Sequence, residues 1–192
     1  VLTSKCVLVL DLDGTIVPLA VDFDALRVEI RRLLGVDHPL RPLGESLCSL
    51  NVDEELKKQA WALIERAELE SIERIDPDSL RENVEAIKRV SGLGVQVVLV
   101  TMRSTNTLRP LLEKLGLINV FSEIVTRDIS TSRLRQLEIV KLHHLGDKLL
   151  FIGDTAYDEE AARRLGVEFY RVYSFRDLPQ TIAQALRSCV DL

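Results

Sequence analysis

Apolar positions along this chain follow two alternating periods. Short runs at Cys6–Leu10, 95–100, 148–152 and 167–172 are too brief for ordinary helices and rich in β-compatible residues, so each predicts a strand, the first of them fully buried. A weaker run at 123–126 predicts a fifth. Between the runs, apolar residues recur every three or four positions, predicting helices over 78–90, 106–115, 133–145, 159–165 and 178–187. Gly92, Gly94, Gly116, Gly146 and Gly166 fall between a helical pattern and the next strand, where helices commonly stop. Strands alternating with helices predict a parallel sheet covered on both faces.

Residues 18–76 break this alternation. Phe23, Leu26, Ile30, Leu33 and Leu34 form one helical stripe, and Leu56, Ala60, Leu63, Ile64 and Ala67 form another. Pro39, Pro42 and Gly44 separate them, and Ile75-Asp76-Pro77 returns the chain to the alternating pattern. The expected division is therefore a core of 1–17 and 77–192 with a helical module of 18–76. Both ends of that module lie near the end of the first strand, where a lid would be useful.

The junction after the first strand carries the candidate chemistry. Asp11-Leu12-Asp13-Gly14-Thr15 follows Cys6–Leu10 directly. Asp and Gly are also ordinary turn residues, so these five positions alone leave a solvated turn open. A turn at Gly14 would present both carboxylates at the carboxyl edge of the sheet, where they repel unless a cation or proton intervenes. The run 95–100 delivers Thr101, followed by Met102-Arg103-Ser104, to the same edge. A hydroxyl and the start of a helix there suit phosphate oxygens, while a plain helix cap is the alternative. Pro110 fits the following helix only near its first turn. The run 148–152, followed by Gly153, delivers Asp154, with Asp158 four residues on. Asp158-Glu159-Glu160 alone is an acidic first helical turn. Four carboxylates at one edge nevertheless suit a hard divalent cation such as Mg²⁺.

In their order along the chain, these features resemble the four motifs of the haloacid dehalogenase-like hydrolases. The resemblance runs from Val7 to about Val172 and implies an α/β fold: a Rossmann-like three-layer sandwich with a central parallel sheet and a small all-helical cap after the first strand. It implies that Asp11 is the nucleophile and Asp13 the general acid and base. Mg²⁺ would be held by Asp11, the Asp13 backbone carbonyl and Asp154, with Asp158 in direct or outer-shell support. Thr101 would bind the transferring phosphoryl group, with Gly14, Thr15, Met102 and Arg103 as further substrate-binding positions. The family commonly has lysine, often followed by proline, at its third motif. Here Arg133 aligns best, without a following proline, and Arg127 and Lys141 are alternatives. Arginine can still clamp phosphate through two donors.

Asp13 disfavours a dehalogenase, which has no alkoxide to protonate, and a P-type ATPase would need membrane helices. The expected function is hydrolysis of a small phosphomonoester through an aspartyl-phosphate, within the phosphoglycolate phosphatase-like branch. A phosphomutase or other phosphotransferase shares the aspartate pair. A non-catalytic binding domain would be expected to have lost Asp11, Asp13 or Asp154, and all three are present.

Arg27 and Arg31 lie one turn apart, off the first apolar stripe. They could recognise an acidic leaving group or simply form a solvated face. Trp61 borders the second stripe, where packing is the simpler role. His38, His143 and His144 show no diagnostic spacing.

The remaining composition narrows the partners. A net charge of −5 over 192 residues argues against a general nucleic-acid binder. No apolar run approaches the ~20 residues of a membrane span, and the opening segment reads as a strand rather than a signal peptide. Cys6, Cys48 and Cys189 have no metal-ligand spacing, and Cys6 reads as a buried strand residue, so a reducing cytoplasm is expected. The expected partner is a small phosphorylated metabolite, with the protein a monomer or homodimer.

Overall fold

Strand β1 (Cys6–Leu10) is the middle of the sheet because its residues are apolar on both sides and both sides are covered. It pairs in parallel with β2 (Gln96–Val100) and β4 (Lys148–Gly153). Strands β3 (Glu123–Val125) and β5 (Glu168–Arg171) complete the order β3-β2-β1-β4-β5. The computed structural model describes residues 5–189, so the outermost ends of the expected core, 1–4 and 190–192, lie outside the described residues.

Alternation along β1 sorts the layers. Leu8 and Leu10 join the core formed with α4 (Arg81–Gly92), α5 (Thr105–Leu115) and α8 (Leu178–Arg187). Val7 and Val9 face α6 (Arg133–His143) and α7 (Ala156–Leu165). The result is a three-layer α/β sandwich with a Rossmann-like parallel sheet.

Three helices follow β1: α1 (Phe23–Leu34), α2 (Leu43–Ser49) and α3 (Glu54–Glu73). They share their own apolar cluster, including Leu26, Ile30, Leu47, Ala60 and Ile64. Asp22 and Asp53 cap α1 and α3 by accepting first-turn N–H bonds. Helix α2 departs from the sequence pattern, in which Pro42 and Gly44 read only as breakers. Pro42 is instead the residue that opens the helix, where a missing N–H costs nothing.

Other boundaries also moved. The pattern from 78 begins as a 3₁₀ turn (Asp78–Leu80) before α4. Helix α7 starts earlier than its apolar pattern because Thr155 and Asp158 form a reciprocal cap. Pro110 lies inside α5, beyond its first turn. Asn106, whose carbonyl the proline leaves without a helical donor, is exposed, so water can take that place.

The cysteine reading is corrected outright. Cys6 and Cys189 form a disulfide that joins the start of β1 to the residue just past α8, while Cys48 is free and exposed. The reducing-compartment expectation rested on unpaired thiols and loses that basis.

Candidate active site

The peptide after β1 winds around a single carbonyl. Thr15, Ile16 and Val17 all donate their N–H groups to Leu12, and Gly14 donates to the Val17 carbonyl at 2.8 Å. Gly14 takes a φ of 89°, and a Cβ there would stand 2.2 Å from Asp154 Oδ2. Only glycine allows both this turn and the close approach of Asp154. The turn places Asp11 and Asp13 at the carboxyl edge of the sheet, beside the end of β4.

Asp11 is buried there among other carboxylates. Thr15 donates its hydroxyl to Asp11 Oδ2 at 3.2 Å and lies 3.5 Å from Asp154 Oδ1. Arg133, the first residue of α6, spans the cluster: Nη2 donates to Asp11 Oδ1 at 2.5 Å and Nε lies 2.7 Å from Asp158 Oδ1. Its third nitrogen, Nη1, donates to Gln136, whose amide in turn donates to the Thr101 carbonyl.

Burial pushes the Asp11 carboxyl well above its usual range. Arg133 opposes that shift, and Asp158, Asp154 and Asp13 reinforce it. Burial, and then Asp158, push Asp154 up to about 6. Burial works against the charge on Arg133, but Asp158 and Asp11 outweigh it and raise its pKa.

Asp11, Asp154 and Asp158 each bring a carboxylate oxygen within 4.8 Å of the others. One guanidinium stands against three carboxylates, so the cluster remains short of positive charge. Hard oxygens at this spacing fit a small divalent cation such as Mg²⁺. Asp158 is also tied through Oδ2 to the Thr155 N–H and hydroxyl, which fixes its orientation.

A cavity of about 760 Å³ opens between this edge and the helical module. Asp11, Asp13, Met102 and Arg133 line one side, with Arg27 and Trp61 on the other. Several sequence expectations change here. Thr15 is fully buried and bonds to carboxylates instead of contacting the cavity. Gly14 makes room for Asp154 and also lies off the cavity wall. Thr101 is 1% exposed, lies off the cavity wall, and its oxygen accepts the Arg103 N–H at 3.1 Å.

Arg103 is not a free substrate-binding cation, because Asp13 and α3 take up its guanidinium. Arg31 does not line the cavity. Arg41 from the α1–α2 loop does, and shares Asp24 with Arg27. Of the alternatives to Arg133, Arg127 also lines the cavity, but both it and Lys141 are held by other partners. Arg127 pairs with Glu68 at 2.5 Å and lies over the Trp61 ring, and Lys141 donates to the Leu165 carbonyl. His38 accepts the Leu40 N–H, and His143 and His144 both contact Glu123.

Glu68 was missed, although a signal existed. It continues the i, i+4 series of Ala60 and Ile64, so a charge on the buried stripe of α3 required a partner. Arg41 had no comparable signal, since its position depends on how the loop folds.

A family model described as haloacid dehalogenase-like hydrolase matches residues 37–172, a span that contains Thr101, Arg133, Asp154 and Asp158 but not the Asp11 turn. No curated protein matches the chain. Among solved structures, a hydrolase from Pseudomonas syringae is similar at a TM-score of 0.66 and 19% identity, covering 96% of this chain and 97% of that one. A predicted phosphatase from Clostridium acetobutylicum gives a TM-score of 0.65 at 17% identity, covering 99% and 100%. A haloacid dehalogenase-like family hydrolase from Streptococcus pneumoniae gives 0.59 at 16% identity, covering 97% and 98%. At such identities the similarity shows the fold.

Proposed function

Because the chain belongs to the haloacid dehalogenase-like hydrolases, we propose that it hydrolyses a small phosphate monoester, with Asp11 as nucleophile and Asp13 as general acid and base. The observation that carries this reading is Asp11 itself. It is a buried carboxylate paired with Arg133, in a cluster with Asp154 and Asp158, and shares a single turn with a second carboxylate.

In the first step an Asp11 carboxylate oxygen attacks phosphorus, the bond from phosphorus to the ester oxygen breaks, and Asp13 gives its proton to the departing alkoxide. In the second, Asp13 as carboxylate takes a proton from water while the water oxygen attacks the same phosphorus. The bond to Asp11 breaks, and inorganic phosphate and free enzyme result. Arg133 offsets negative charge beside Asp11, and Thr101 holds the Arg103 backbone N–H at the end of β2. Asp11, the Asp13 backbone carbonyl, Asp154 and Asp158 would hold Mg²⁺, which supplies further charge neutralisation for those oxygens. The cavity beneath the helical module would receive the leaving group, with Arg27 on its wall.

The test is phosphate release from a panel of phosphomonoesters, with Mg²⁺ and with excess chelator. Release should require the metal, and Asp11→Asn should lower it by at least about 10³-fold, since the first bond cannot form. Turnover persisting in Asp11→Asn would remove the covalent route.

A further inference from the structure

The second carboxylate of the site is not free to move. Asp13 accepts two bonds from Arg103, one from Nε and one from Nη2, both at 2.8 Å. Arg103 is 1% exposed and donates its remaining bonds to helix α3: Nη1 to the Glu68 carbonyl at 3.1 Å and Nη2 to the Ser71 hydroxyl at 3.0 Å. Its backbone is fixed as well, because its N–H donates to Thr101 and its carbonyl accepts from Arg127. Among the described residues, no buried side-chain nitrogen or oxygen lacks a partner, and each of the three guanidinium nitrogens of Arg103 is engaged.

A guanidinium fork fixes the plane of a carboxylate as well as its position, which a single-point donor cannot do. The geometry points to Arg103 as a positioning residue: it aims the Asp13 carboxyl at the ester oxygen and ties that aim to the placement of α3. The inference rests on the phosphatase reading, with Asp13 as the proton donor.

The consequence appears in which esters suffer when the fork is lost. An alkyl phosphate needs a proton on its departing oxygen, whereas 4-nitrophenyl phosphate releases a stabilised phenolate without one. Because kcat/KM covers only steps up to the first irreversible one, it reports on leaving-group departure and not on the later use of Asp13 as base. Arg103→Met should lower kcat/KM for an alkyl ester such as glycerol 2-phosphate by about 10²-fold or more, and for 4-nitrophenyl phosphate by less than about tenfold. Arg103→Lys, which keeps the charge without the fork, should give the same ordering at a smaller factor, and serves if the Met variant does not fold. A purely structural role would lower both esters by one common factor. Equal losses, or no loss, while the wild type releases phosphate would overturn this role of Arg103 alone. No release by the wild type from either ester would overturn the phosphatase reading and this inference with it.

Discussion

Arg133 has two carboxylates to satisfy, with contacts of 2.5 Å to Asp11 and 2.7 Å to Asp158. A guanidinium can do so because its nitrogens diverge in one plane; a lysine ammonium in the same place would be a single point of charge. Under the proposed chemistry, Arg133 offsets charge that develops as phosphorus is transferred. Arg133→Ala should therefore lower kcat by about 10²–10³-fold, the scale of losing one preorganised donor at a developing charge. The measurement is phosphate release at saturating ester and Mg²⁺. A change confined to KM would limit Arg133 to ground-state binding. The sequence brought this arginine into consideration through its spacing before Gly153-Asp154, but the same spacing admitted Arg127 and Lys141. Side-chain direction separates the three, and a helix or loop position read from sequence does not contain it.

Among the elements, α3 does the most to join the helical module to the sheet edge. Its apolar stripe faces α1 and α2, while Glu65, Glu68 and Ser71 reach residues beyond β2 and β3. Glu68 is central: it pairs with Arg127, accepts the Thr107 hydroxyl at 2.7 Å, and burial lifts its carboxyl above the usual range despite Arg127. The side chains of Arg127 and Glu68 are 7% and 4% exposed, so removing one strands the other away from water. Arg127→Met should cost about 3–5 kcal/mol in denaturant unfolding, the usual penalty for breaking a buried pair. Enzyme that remains folded should keep far more turnover than Arg133→Ala. A surface-like cost below about 1 kcal/mol would show that water reaches the pair. Helix α2 makes the opposite point about reading elements. Pro42 and Gly44 stop a helix only in its interior, and sequence alone did not say that the chain would begin one there.

For the whole molecule, the Cys6–Cys189 disulfide links two ends of the described chain that the packing of α8 on the core already brings together. Such a link acts mainly by restricting the unfolded chain, and helix α8 is also held by Leu178, Ile182 and Ala185 in the core. Replacing both cysteines by serine should lower unfolding stability by about 2–4 kcal/mol without unfolding the protein. The check is denaturation with and without reductant. A wild type indifferent to reductant would mean that the bond contributes nothing in solution.

What the sequence determined was whatever local pattern encodes. Unbroken apolar runs specified strands buried on both faces, glycine after Asp13 specified the turn, and Asp154 followed its strand to the same edge. Tertiary structure decided which charges met. Asp13 and Arg103 are 90 positions apart and Asp11 and Arg133 are 122 apart, distances over which periodicity carries no information about direction. The pairing of Cys6 with Cys189, the burial of Thr15 and the replacement of Arg31 by Arg41 at the cavity wall have the same origin. Each depends on how helices and loops pack around the sheet, and burial then forces every charged group brought inside to find a partner.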